Sequence, residues 1–227
     1  MVYGYGFDLT YMGIILLSLI LGTITQNYIR STYAKWSRVD ASFSGTGADV
    51  ARAMLNEGGA SSVGIVPIAG TLTDNYDPRD NKLHLSQANL QGGSVASVAV
   101  ACHEAGHAIQ MARGYAPFKL RSALVPAVNI ASQTWMLAFL AGTFLNFVGL
   151  IQLAVVLFGV SVIFQLVTLP VEFDASRRAV EYLSAHGQGI DQRGAKEVLT
   201  AAALTYVAAA LVSVLQFLYL RSRSSRR

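Results

Sequence analysis

Four long uncharged runs, Leu9 to Ile29, Ser122 to Leu145, Val148 to Leu169 and Val198 to Leu220, constrain this chain more than any other feature. None contains Lys, Arg, Asp, Glu or His. Each can cross a hydrocarbon core about 30 Å thick, which takes roughly 20 helical residues. In lipid the backbone must satisfy its own hydrogen bonds, so the runs are predicted to be transmembrane helices. Composition agrees: 13% of residues are charged and 53% hydrophobic, whereas a soluble domain carries about 25% charge. No Lys or Arg precedes the first run and no small-x-small site follows it before Tyr28-Ile29-Arg30, so it reads as a retained anchor rather than a signal peptide. The single cysteine, Cys102, excludes an intramolecular disulfide framework.

The second and third runs are separated only by Asn146-Phe147 and must form a hairpin. A hairpin returns the chain to the side it left. The two polar pieces, Arg30 to Arg121 and Pro170 to Glu197, are therefore expected on one face of the bilayer. Near the span ends that face carries Arg30, Lys35, Arg38, Arg113, Lys119, Arg121, Arg177, Arg178, Arg193 and Lys196, against Arg221, Arg223, Arg226 and Arg227 in the basic tail at 221–227. The positive-inside rule then puts the polar face in the cytoplasm and both termini outside. The net charge of +4 is modest and gathers at span ends, so the expected partner is the lipid bilayer and not nucleic acid.

Within the first polar piece, "GTGADVARAMLNEGG" reads as a short helix stopped by Gly58-Gly59, with Val50, Ala51, Met54 and Leu55 on one side. Val63 to Ile68 and Lys82 to Leu85 read as short strands, and "DNYDPRDN" between them as a turn-rich connection. From Ser94 to Ala112 the chain is alanine-rich, contains no Pro and only one Gly, and is predicted to form one helix of about five turns.

That helix carries "HEAGH". Positions i and i+4 share a face, so His103 and His107 can hold one metal ion together. Glu104 is displaced about 100° round the helix, too far to ligate beside them but near enough to reach a water on the metal. Zinc lowers the pKa of such a water towards about 7 and a carboxylate can take its proton as it attacks a carbonyl. The plainer alternative is a solvated surface helix. Val98, Ala99, Ala101, Ala105 and Ala108 around the motif argue against it.

A catalytic zinc site needs a third protein ligand and one open position. Glu172, Asp174, His84 and His186 are the candidates. Glu172 is favoured because it lies just beyond Pro170, where the third run ends on the face that bears HEAGH. Asp174 has Arg177 and Arg178 at i+3 and i+4, a surface ion pair worth about 0.3–0.5 kcal/mol. On a helix starting at Pro170, residues 172 and 174 differ by about 200°, so both are not expected to face the HEAGH helix. Ser176 and Ala179 fall on the Glu172 side. Cys102 is adjacent to His103 and does not face it, which favours a buried packing role. Tyr76 and Tyr206 could each offer a hydroxyl to an oxyanion, although turn and interfacial tyrosines are the plainer reading.

The blocks "LTDNYDP" (Leu72 to Pro78), "HEAGHAIQ" (His103 to Gln110), "LRSALVP" (Leu120 to Pro126), "LPVEFDASRRA" (Leu169 to Ala179) and "AAALTYVAAAL" (Ala201 to Leu211), in this order, resemble the YugP-type neutral zinc metallopeptidases, small bacterial membrane proteins. The resemblance implies one zinc ion on His103, His107 and Glu172, with Glu104 as catalytic acid and base, in the bacterial cytoplasmic membrane. A wider similarity is to HtpX-like and CAAX-prenyl membrane metalloproteases. Those relatives carry an aspartate four residues after the ligand glutamate to orient a zinc histidine, and here that position is Ser176. By similarity to gluzincins, the strand Leu83, His84, Leu85 is expected to be the edge along which an extended substrate lies.

The expected fold is a mainly α membrane protein: four transmembrane helices with a small α+β zincin-like domain at the membrane interface. The expected function is zinc-dependent hydrolysis of peptide bonds in membrane or membrane-proximal proteins. A metal transporter would place ionisable ligands within its spans, where this chain has only neutral groups such as Asn129, Gln133, Gln152 and Gln165. A non-catalytic metal-binding scaffold would have no use for Glu104. An intramembrane site would need more than the eight uncharged residues between Ser94 and HEAGH.

Overall fold

The computed structural model describes residues 9–224; Ser225, Arg226 and Arg227 of the basic tail lie outside the described residues. The fold is mainly helical with one small sheet. In chain order the elements are α1 (Leu9–Trp36), α2 (Gly47–Gly58), β1 (Gly64–Ile68), β2 (Asn75–Asp77), β3 (Lys82–Ser86), α3 (Gln87–Gln91), α4 (Val95–Ala112), α5 (Ala116–Phe144), α6 (Val148–His186) and α7 (Gly189–Ser224). Four of them, α1, α5, α6 and α7, are long and apolar enough to cross a membrane. α1, α6 and α7 each contain one of the uncharged runs whole, α5 contains all of its run but Leu145, and all four extend beyond the run at one end or both. Pro170 accordingly does not begin a helix: it sits inside the 39 residues of α6. A proline there forfeits one i to i−4 hydrogen bond, and the ladder resumes on both sides of it.

The chain divides into two compact units. One comprises the described residues up to Thr25, Leu120–Leu169 and those from Thr205. Its outer surface is apolar, with Leu137, Leu145 and Phe144 exposed, as hydrocarbon requires of a helix surface. Inside it, Tyr11 stacks on Tyr219 with ring centroids 5.2 Å apart and Trp135 packs on Phe158 at 4.8 Å. Ser213 donates to Gln165 Oε1 at 3.1 Å, so that intramembrane amide is engaged between helices.

The other unit comprises Gln26–Lys119 and Pro170–Leu204. Its core is built from α2, the sheet and the buried faces of α4, α6 and α7, with Leu55, Leu83, Leu85, Val98 and Leu183 almost wholly excluded from solvent. The helix α2 starts where Thr46 caps Asp49 N–H and Asp49 returns a bond to the Thr46 backbone, a capping box. It stops where Gly59 adopts φ 81°, a left-handed cap that glycine takes without a Cβ penalty. Its buried side, Val50, Ala51, Met54 and Leu55, packs within the core it shares with α4.

The sheet has the order β1-β3-β2, with β1 parallel and β2 antiparallel to β3. This corrects the assignment of Leu83, His84 and Leu85 to a substrate-binding edge: β3 is the central strand, hydrogen-bonded on both sides. Leu83 and Leu85 are fully buried and His84 Nε2 lies 3.1 Å from Asp80. The pattern of two buried leucines around a polar residue suits an edge and a centre equally, and tertiary pairing decides. The second outer strand, β2, forms inside the segment read from sequence as a turn, because Tyr76 turns its ring into the core and Asn75 and Asp77 pair with β3.

Candidate metal centre

The helix α4 begins at Ser94, whose hydroxyl accepts from Ser97 N–H. Most of its residues are buried, including Glu104, His107 and Gln110. Alanines at 99, 101, 105 and 108 leave room for neighbouring backbones on all sides. Backbone meets backbone at Gly106, where a Cβ would stand 2.8 Å from the Ala175 carbonyl oxygen of α6. That approach puts Glu172, one turn before Ala175, against the two histidines.

Glu172 Oε2 lies 3.3 Å from His103 Nε2 and 3.6 Å from His107 Nε2. The imidazole rings meet edge to face, centroids 4.8 Å apart. One ligand atom from each of the three residues lies within 4.8 Å of the others. Zn–N and Zn–O bonds of about 2.0–2.2 Å at a tetrahedral angle separate neighbouring ligand atoms by about 3.4 Å. The donor set, the spacing and the burial therefore fit a zinc ion with three protein ligands. Of the other ligand candidates, His84 pairs with Asp80, and His186 Nε2 lies 3.1 Å from Glu57. Neither joins the cluster, and Asp174 contributes to it differently.

The far ring nitrogens of the histidines are each held. Ser176 Oγ lies 3.2 Å from His103 Nδ1, so the hydroxyl at this position does meet a histidine of the site. Gln110 Oε1 lies 3.0 Å from His107 Nδ1. The Gln110 amide nitrogen donates to Val171 O at 2.8 Å and to Asp174 Oδ2 at 2.9 Å. Asp174 also accepts from Arg177 and, at 2.6 Å, from Arg178. Asp174 is thus more than a surface ion pair, and residues 172 and 174 both reach α4, correcting the helical-wheel exclusion. The wheel compares directions only. Gln110 is long enough to extend from the site stripe to the flank of α6 where Asp174 sits. Gln110 escaped the sequence reading, although its spacing from His103 and His107, i, i+4 and i+7, is the signal of a shared helix face.

Glu104 stands outside the ligand cluster and is buried. Burial pushes its carboxyl up to about 7, with His103 pulling down and the Glu172 and Asp74 carboxylates pushing up. A hydrogen bond from the Tyr76 backbone on β2 also favours the ionised form. An aromatic wall closes one side: Phe118 lies 6.1 Å from His107 and 6.2 Å from Tyr76, ring to ring. The Tyr76 hydroxyl donates to Asn81 at 3.0 Å. Tyr206 belongs to the unit of long apolar helices, not to the unit in which these distances are measured. Cys102 is buried and its thiol is pushed far above its ordinary range, which leaves it inert.

A profile of the family described as "Putative neutral zinc metallopeptidase" matches residues 11–224. The curated protein named "Putative membrane protease YugP" from Bacillus subtilis (strain 168) is 44% identical over 195 residues, covering 85% of this chain and 87% of that one. No solved structure gives a significant match. The match runs through the HEAGH helix and the Glu172 segment together, and the chain belongs to the neutral zinc metallopeptidase family.

Proposed function

We propose that this protein is a zinc-dependent endopeptidase of the bacterial cytoplasmic membrane, with a zincin-like site formed by His103, His107 and Glu172 and with Glu104 as the proton-transferring group. The observation that carries this reading is the convergence of Glu172 on both Nε2 atoms, at 3.3 and 3.6 Å, with a fourth buried group, Glu104, left outside the ligand set. A zinc ion bound there would supply Lewis acidity, polarising a scissile carbonyl and making water more acidic. A structural zinc site closes with four protein ligands; three ligands and a spare carboxylate suit catalysis.

Glu104 takes the proton of the attacking water and hands it to the departing amine. Burial holds the metal-free carboxyl up to about 7, and the charge of a bound cation would draw it towards the ionised form that accepts a proton. Ser176 and Gln110 hold the histidine rings, and Phe118 shields one side of them from solvent.

The substrates we propose are membrane or membrane-proximal proteins. Glu172 follows the apolar run of α6 by only three residues on the same helix, at about 1.5 Å rise per residue. The excess of basic residues flanking the spans supports a cytoplasmic catalytic face with both termini outside.

The test is Glu104→Gln in the full chain, purified in detergent with zinc and offered unfolded membrane-protein substrates. Cleavage should disappear while zinc content matches the parent, since the amide keeps the shape but cannot take the proton. Comparing membrane proteomes of cells bearing parent or variant would identify substrates as proteins that accumulate. Undiminished cleavage by Glu104→Gln would remove the hydrolytic reading.

A further inference from the structure

The two histidines of the centre are held by partners of different kinds. Ser176 offers His103 Nδ1 a hydroxyl, which can donate or accept and so does not itself fix a proton on that nitrogen. Gln110 offers His107 an amide, and that amide has no such freedom. Its nitrogen lies 2.8 Å from the Val171 carbonyl and 2.9 Å from the Asp174 carboxylate, both acceptors only. The opposite orientation would set the amide oxygen against these two acceptors in a site from which Gln110 is wholly excluded from water. Buried polar groups left unpaired forfeit their hydration with nothing in return. The oxygen must therefore face His107 Nδ1, and an oxygen acceptor at 3.0 Å requires a proton on that nitrogen.

We propose that Gln110 is a positioning residue which locks His107 as the Nδ1–H tautomer, with its Nε2 lone pair directed at the cation, and that Asp174 acts through it by fixing the amide. Asp174 is itself anchored by Arg177 and Arg178. The chain of contacts therefore runs from two guanidinium groups at the rim, through one carboxylate and one amide, to one ring nitrogen. The two ligands therefore differ on the side away from Glu172: His107 Nδ1 faces an acceptor-only oxygen, and His103 Nδ1 faces a hydroxyl that can turn. The inference rests on the reading of these residues as a zinc site, but the Nδ1 proton it assigns follows from the amide geometry with or without metal.

The experiment uses the full chain in detergent micelles, metal-free, with 15N-labelled histidine. Nitrogen–proton correlation spectra report each ring's tautomer, and single His→Gln variants assign the four histidines. His107 should show a protonated Nδ1. Gln110→Met, which keeps length and removes the acceptor, should move His107 to a mixture of tautomers. It should also lower zinc affinity about 10- to 100-fold in chelator competition. Ser176→Ala should leave the His107 signals in place. If Gln110→Met does not fold, Asp174→Ala, which leaves the Gln110 amide held by the Val171 carbonyl alone, should shift His107 in the same direction to a lesser extent, with a smaller affinity loss. A His107 without a proton on Nδ1 in the parent protein overturns the proposal, as does a Gln110→Met that lowers thermal stability with the His107 signals and zinc affinity unchanged. Failure of the parent to bind zinc would instead count against the metallopeptidase site, with the tautomer spectrum still deciding the role of Gln110.

Discussion

Gly106 and Ala175 are in backbone contact: any Cβ on Gly106 would come within 2.8 Å of the Ala175 carbonyl oxygen and 3.1 Å of its Cα. The glycine lies between the two histidines on α4, and the alanine one turn after Glu172 on α6. The missing side chain at 106 is therefore what allows the third donor to reach the other two. The site is as much a packing arrangement as a set of ligands.

Gly106→Ala should accordingly separate the two helices. Overpacking of this kind costs about 1–3 kcal/mol, and a shift of a few tenths of an ångström at Ala175 moves Glu172 relative to His103 and His107. The expected result is a lower melting temperature in detergent and a zinc content well below one per chain. A variant with parental melting and full zinc would show that the contact relaxes without moving Glu172.

Glu172→Ala should lose most zinc affinity, because it removes one of three donors and the only negatively charged one. His84→Ala and His186→Ala should retain the metal, since each histidine is paired with a carboxylate elsewhere in its unit. Metal analysis of the purified variants distinguishes them. Zinc retained without Glu172 but lost without His84 or His186 would reassign the third ligand.

The buried Glu104 makes the stability of the metal-free protein depend on pH. Its folded pKa, about 7, is raised above the ordinary carboxyl value of 4.5. Between those values the folded state binds the proton that the unfolded state releases, so this group's contribution is full below about 4.5 and is lost as pH rises towards 7. The difference can reach on the order of 3 kcal/mol. Glu104→Gln should remove this dependence, leaving the variant increasingly more stable than the parent from pH 5 to pH 8 in the presence of chelator. Parallel pH profiles for parent and variant would show that Glu104 titrates alike in both states.

Membrane orientation is testable with cysteines because Cys102 is fully buried and contributes little background. In intact cells an impermeant thiol reagent should label Ser225→Cys and not Ser44→Cys, if the catalytic face is cytoplasmic. The reverse pattern would invert the topology.

Much of this architecture is legible in the amino-acid order itself. The four apolar helices follow from runs of about 20 residues with no charge, since a backbone in lipid has so few ways to satisfy itself. The limits of α2 follow from Thr46, Asp49 and Gly59, which act within a few residues of themselves. The pairing of His103 with His107 follows from helix periodicity alone. These are short-range consequences of local chemistry, and a sequence carries them in full.

Tertiary structure decided what depends on two distant segments meeting. Similarity to gluzincins made β3 an edge candidate, but only its pairing with both β1 and β2 shows it to be central. A strand as short as β2 is stabilised by its neighbours and the burial of Tyr76, not by its own turn-rich composition. The helical wheel set Asp174 apart from α4, while the length of the Gln110 side chain brings the two together across 64 positions of sequence. Side-chain reach and helix separation are properties of the packed pair, fixed here by a glycine against an alanine backbone. The sequence therefore identified the histidines and the glutamates, and the packing of α4 on α6 decided which groups hold them.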